Sequence, residues 1–179
     1  AGVINGFSGN NMFTYKYAHE SGLNLTLSYI NASDAVTDVS YSDAGVTYTG
    51  MDGLTIGYGQ GDVENVTNSK SNESTLFAKY AMGSVTVGIQ KSEKDVESGT
   101  DTESTGIGIS YQVNDDLTVS YGTNTLEKSG SNDQESQAIG ISYTMGSLGI
   151  ALSMNTVDNI ANSATNDRDA YQLGLSFAF

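Results

Sequence analysis

The chain reads as all-β, an antiparallel up-and-down barrel of strands that crosses a membrane, and three observations predict it. The stretch Asp169-Ala-Tyr-Gln-Leu-Gly-Leu-Ser-Phe-Ala-Phe179 puts Tyr171, Leu173, Leu175, Phe177 and Phe179 on one face, against Gln172, Gly174, Ser176 and Ala178 on the other. A period of two marks a strand, and about ten tilted residues suffice to cross a bilayer. A tyrosine stands shortly before each tight turn, at Tyr17, Tyr48, Tyr80, Tyr111 and Tyr143, at spacings of 31, 32, 31 and 32 residues, and Phe177 takes that place in the last strand. Such a fixed hairpin period implies one repeating array. The polar faces, finally, are small and uncharged, as in Thr86, Gly88, Gln90 or Ala138, Gly140, Ser142, Thr144. The outer faces of a soluble sandwich would normally carry Lys, Glu and Arg, so these suit a sheet whose polar side lines a pore.

Taken in order, residues 1–11 show weak alternation with much Gly and Asn, a first strand or a loop. Residues 12–19 then alternate, with Phe13, Tyr15 and Tyr17 opposite Thr14, Lys16 and Ala18; after the turn Glu20-Ser-Gly22, the apolar face resumes at Leu23, Leu25, Leu27 and Tyr29. The same hairpin recurs at 44–50 and 54–60 around Met51-Asp-Gly53, at 75–82 and 85–91 around Gly83-Ser84, at 105–113 and 117–124 around Asn114-Asp-Asp116, and at 137–145 and 148–155 around Gly146-Ser147. Each turn uses residues that tolerate the backbone angles a hairpin needs. Eleven strands are visible, twelve if the first residues count.

The other connections, 31–43, 61–73, 92–104, 125–136 and 156–169, are long and acidic. Short turns at one end and long loops at the other are the asymmetry of outer-membrane barrels. Four of the 21 carboxylates, Glu20, Asp52, Asp115 and Asp116, fall in short turns, the other 17 gather at the long-loop end, and none is expected in a strand interior. Lys16 and Lys79 fall on the polar face; Lys91 falls on the apolar face near a loop, where its stem snorkels to the interface. No cation sits at mid-strand on the apolar side, where it would cost about 2–4 kcal/mol. The aromatics Tyr17, Tyr48, Tyr80, Tyr111, Tyr143 and Phe177 form the girdle expected where apolar ring and wet hydroxyl meet a membrane interface.

Composition sets the outer bounds. At 179 residues one domain, 1–179, is expected. A formal charge of −14 excludes a nucleic-acid partner, since nothing here neutralises phosphates. The chain has no Cys, so no disulfide or thiolate metal site exists. Glycine, at 21 residues, and tyrosine, at 11, are poor helix material and good strand-and-turn material. No apolar run approaches the length of a transmembrane helix, and the mean hydropathy of −0.27 misleads for a barrel, whose lipid-facing residues are diluted by every second position. With no initiator Met and no charged-then-apolar leader, the sequence reads as a mature chain or part of one.

Motifs for chemistry fail. His19, the one histidine, sits at a short turn beside Glu20 and reads as a solvated turn residue. Gly57-Tyr-Gly59-Gln-Gly61 lacks the following helix that a phosphate loop needs, so pore lining or close packing explains it better. Asp95, Glu97, Asp101 and Glu103 are the residue types that hold Ca²⁺ or Mg²⁺, yet a solvated acidic rim is the simpler reading. The matches to the glycosylation pattern, such as Asn24-Leu-Thr26, are expected by chance in an Asn- and Ser-rich chain. Neither catalytic residue, metal site nor cofactor is expected.

An alternating strand ending on Phe179, with Phe177 two residues earlier, resembles the last strand of bacterial outer-membrane barrels, in which that end is an assembly signal for the barrel-assembly machinery. The Gly- and Asp-rich hairpins look most like general porins of alphaproteobacterial type, and the resemblance covers essentially the whole chain. It implies a 16-stranded trimer with an inward-folded loop, of which this chain is the C-terminal two-thirds, in a Gram-negative outer membrane among lipid and lipopolysaccharide. A self-closed 12-stranded barrel is the alternative. The function expected is passive diffusion of small hydrophilic solutes through a water-filled channel lined by Lys16, Lys79, Gln90, Gln112, Asn124, Asn155, Arg168 and Gln172, with a cation-favouring mouth. The competing function is a structural or adhesive barrel with ion- or partner-binding acidic loops and no open pore.

Overall fold

A computed structural model describes residues 12–30, 39–65 and 70–178. Apart from one 3-10 turn at Ile160–Asn162, the regular elements are strands: β1 (Met12–Ala18), β2 (Leu23–Ile30), β3 (Val39–Met51), β4 (Leu54–Asn65), β5 (Lys70–Met82), β6 (Val85–Val96), β7 (Thr102–Gln112), β8 (Leu117–Lys128), β9 (Gln134–Met145), β10 (Leu148–Asp158) and β11 (Arg168–Phe177). They form one sheet in which each strand lies beside its sequence neighbours, β1 and β11 standing at the two ends of the order. The up-and-down antiparallel class is the one the periodicity predicts. Residues 1–11, the candidate twelfth strand, and Phe179, the candidate assembly signal, lie outside the described residues.

The short turns form where glycine and asparagine stand. Gly83 and Gly146 adopt φ of 59° at the head of two-residue hairpins, a left-handed conformation that costs a residue with Cβ more than glycine. Asn114 does the same work with its side chain: its Oδ1 accepts from the backbone N–H of Asp116 and of Leu117, both at 2.9 Å.

At the other end the structure corrects the sequence reading. The strands run several residues past the apolar alternation, so β6 and β7 are joined only by residues 97–101 and β8 and β9 only by 129–133. Asp43, Asp62, Glu64, Glu73, Glu93, Glu103, Glu127 and Glu135 lie within strands rather than in loops. The physical reason is that a backbone ladder needs paired N–H and C=O groups, not apolar side chains. Apolar alternation reports only the depth at which one face meets an apolar medium.

The residues divide into two compact units, one of residues 1–78 and 90–104, the other of 79–89 and 105–179. In neither is there a hydrophobic core: among the described residues no hydrophobic side chain is buried, and large ones are exposed along the strands, from Phe13 at 67% and Ile56 at 40% in the first unit to Ile107 at 56% and Tyr171 at 75% in the second. A soluble sandwich would bury this face under a second layer. Among the described residues no second layer of this chain covers it.

Candidate functional site

The candidate site is the polar face, and strand register builds it row by row. In the first unit β1 to β4 align Met12, Ile30, Tyr41 and Val63 in one row, Thr14, Ser28, Asp43 and Gly61 in the next, and Lys16, Thr26, Gly45 and Gly59 in a third. A fourth row holds Ala18, Asn24, Thr47 and Gly57. A cavity of about 410 Å³ lies over the first three rows, with Glu73 of β5 on its border. Lys94 donates to Glu73 at 2.6 Å. Beside it Gln90 donates to Ser92 at 3.2 Å and to Thr75 at 3.4 Å, while the Thr75 and Ser92 hydroxyls are 2.9 Å apart.

Gly57 is the one buried residue among those described, because the Phe77 ring lies on it and leaves no room for a Cβ. The glycine run is thus partly close packing, an aromatic covering a strand glycine. Sequence reasoning missed Phe77: it stands on the polar face with Thr75 and Lys79, and only its parity in β5 could have shown it.

In the second unit β8 to β11 align Asn124, Ser136, Val157 and Arg168; then Gly122, Ala138, Asn155 and Ala170; then Ser120, Gly140, Ser153 and Gln172; and Thr118, Ser142, Ala151 and Gly174. Arg168 carries the only formal charge in these four rows. Of the pore-lining expectations, Asn124, Asn155, Arg168 and Gln172 therefore share one wall, and Asn155 donates to Ser153 at 3.3 Å. Lys79 and Gln112 belong to this unit as well, both exposed, Gln112 close to a short turn, where its backbone N–H donates to the Ser84 carbonyl. Lys16 and Gln90 belong to the first unit. The strand extensions also bring Lys94, and Lys128 at the end of β8, onto that face.

The other face carries the aromatics. Tyr17, Tyr48, Tyr80, Tyr111, Tyr143 and Phe177 are all exposed, between 37% and 65%. Tyr48 pairs with Leu23 and Ile56, and Tyr143 with Ile150 and Leu117, so each stands among apolar partners near a short turn. Above them are ion pairs: Lys91 reaches Glu93 at 2.9 Å and Glu103 at 3.0 Å, and Lys70 reaches Glu64 at 2.8 Å. The hydrogen bond and charge of Glu64 raise the Lys70 pKa above its ordinary value.

The histidine is engaged in its own turn. His19 Nδ1 lies 2.8 Å from the Ser21 hydroxyl and accepts from the Ser21 backbone N–H at 3.2 Å, which makes it a turn-forming residue. Asp101 accepts from the Val96 backbone N–H at 2.8 Å. Among the described residues no group of three or more His, Asp or Glu side chains is placed to hold a metal ion.

The family model for Gram-negative porins matches residues 1–137 and 90–179. An anion-selective porin from Comamonas acidovorans superposes with a TM-score of 0.78 at 17% identity, over 95% of this chain and 60% of that one. OmpT, an outer membrane protein of Vibrio cholerae, superposes at 0.66 and 14% identity, over 93% of this chain and 63% of that one. The NanC porin superposes at 0.57 and 12% identity, over 96% of each chain. The chain thus spans about three-fifths of the first two structures. A search of curated proteins finds no match.

Proposed function

The chain belongs to the Gram-negative porin family, and on that premise we propose that it forms the wall of a water-filled channel through which small hydrophilic solutes and ions diffuse passively. Its place is the outer membrane of a Gram-negative bacterium. The observation that carries the proposal is the exposed apolar face that recurs along the strands opposite a mostly small, polar one, with no hydrophobic side chain buried among the described residues. Only a sheet with hydrocarbon on one side and water on the other is stable in that form. Such a wall transports by width and field.

Three features support the finer reading. A better superposition on part of a longer porin, 0.78 against 0.57 for a porin of this chain's own length, supports reading residues 1–179 as part of a larger barrel, proposed here to be the C-terminal two-thirds of 16 strands. The Gly- and Asp-rich hairpins favour the alphaproteobacterial type. OmpT has been solved in a trimer form, and a homotrimer is the assembly proposed here. The exposed aromatics form the girdle, lipid and lipopolysaccharide cover the apolar face, and the last strand engages the barrel-assembly machinery through Phe179.

The mouth favours cations. The carboxylates of the strand extensions outnumber the cations beside them, so the field there is negative. A solved porin of the same fold is anion-selective, which leaves the sign of selectivity to side-chain charge. In planar bilayers the protein is expected to give stable current steps with a K⁺ over Cl⁻ permeability ratio above one. Anion preference would reject the selectivity, and a folded barrel without current would reject the channel.

A further inference from the structure

We propose that the polar face of β1 to β5 holds a binding site for small zwitterions with an apolar side chain, leucine-like amino acids being the type. It rests on reading this face as the water-filled side, and three observations on the same wall point to it.

The first is the row Met12, Ile30, Tyr41 and Val63, apolar across four adjacent strands on the face where small polar residues are the rule. Beta-sheet parity fixes this: each of the four is directly opposite the next, so the row is a continuous strip rather than scattered exceptions. A lone exposed apolar residue needs no explanation, whereas a contiguous strip against water marks a contact site.

The second is the charge arrangement below the strip. Lys16 ends the third row and Asp43 stands in the second, two strands away, about 12 Å between backbones from ordinary strand spacing and rise. Between them lie the hydroxyls of Thr26 and Ser28. Of the other carboxylates bordering the cavity, Glu73 is neutralised by Lys94 at 2.6 Å, and Asp62, paired with Ser42, falls by parity on the opposite face of the sheet. Among the described residues Lys16 and Asp43 have no ion-pair partner, so the polar side of these rows offers the cavity one cation and one anion; Lys79, farther along β5, does not line it. A simple anion or cation satisfies one of them and is repelled by the other; a zwitterion satisfies both.

The third is the floor. Gly45, Gly59 and Gly61 have no side chains to fill the space, which leaves the cavity of about 410 Å³, within the range of small-molecule sites. A ligand lying on this floor sets its ammonium toward Asp43, its carboxylate toward Lys16 and its side chain against Ile30 and Val63.

Binding is measured on the whole protein refolded in detergent micelles, by ligand-observed saturation-transfer NMR with L-leucine, glycine, isovalerate and 3-methylbutylamine, the variants first being checked for folded mobility on unheated gels. L-leucine is expected to bind more tightly than the other three, each of which lacks one of the three matching groups. Asp43→Asn and Lys16→Gln are each expected to weaken leucine about two- to fivefold, what an exposed ion pair supplies. Ile30→Thr weakens leucine and leaves glycine unchanged, while Glu20→Gln at the short turns changes neither. Leucine no tighter than glycine, or equally tight after both charge substitutions, overturns the proposal. A protein that binds leucine in this pattern but carries no current keeps the site and rejects the channel; a conducting protein without the pattern does the reverse.

Discussion

The walls built by β1–β4 and by β8–β11 share one outer chemistry and differ on the inner side. Both expose Tyr, Leu and Ile on alternate positions, as in Tyr15 and Leu27 or Ile139 and Leu173. On the polar side the first carries Lys16, Asp43 and an apolar strip, whereas the second reads Ser, Ala, Gly, Thr and amides, with Arg168 the single charge in its four rows. The outer face is held uniform because hydrocarbon penalises every charge. The inner face meets water, which tolerates almost any side chain, so function is free to vary there.

The largest effect expected from this contrast separates neighbours on one strand. Leu152→Lys, at mid-strand on the apolar face, is predicted to destabilise the folded protein by about 2–4 kcal/mol in lipid vesicles, while Ser153→Lys next to it stays within about 0.5 kcal/mol. Urea titration of vesicle-inserted protein reads both, and equal costs would break the comparison.

A second contrast lies between glycines of the two walls. Gly57→Ala has to displace the Phe77 ring and is expected to cost about 1–3 kcal/mol. In Gly140→Ala the new methyl meets only the Ser120 hydroxyl, at 2.6 Å, which turns aside, and the cost is smaller. If the two cost the same in the urea titration, Phe77 is not the packing element the register makes it.

Turn chemistry comes next in size. Asn114→Ala removes the acceptor of two backbone N–H groups and is expected to lower stability by about 1 kcal/mol, with the conductance unchanged. Smallest is Lys70. Its pKa is raised by Glu64, so any stabilisation from the pair is complete below the ordinary lysine value and is lost only as pH rises through the raised one. Between neutral pH and pH ~9, wild type and Lys70→Gln are therefore expected to show parallel stability curves.

The strands, their faces and the short turns were legible in the sequence because each has a local cause: the pleat for the alternation of Leu148 to Met154, glycine φ for the turn at Gly146, the Asx side chain for Asn114. The strand ends on the loop side were not, because the pairing of Asp43 with Ser28 or Glu135 with Thr125 is a backbone property that leaves no apolar mark. Single residues of the candidate wall, Lys16, Asn124, Arg168 and Gln172 among them, could be assigned to the polar face by parity. Their grouping could not, since which row Met12, Ile30, Tyr41 and Val63 share depends on register across three separate pairings.

The central claim is that the apolar face of each strand touches lipid and the polar face touches water enclosed by the barrel. The sequence has no cysteine, so single thiols can be placed one at a time at positions 150–155 of β10 in vesicle-inserted protein and exposed to a membrane-impermeant maleimide. The account predicts reaction at Ala151→Cys, Ser153→Cys and Asn155→Cys and protection at Ile150→Cys, Leu152→Cys and Met154→Cys. Uniform reactivity along the strand, or protection of the polar positions with reaction of the apolar ones, would contradict it.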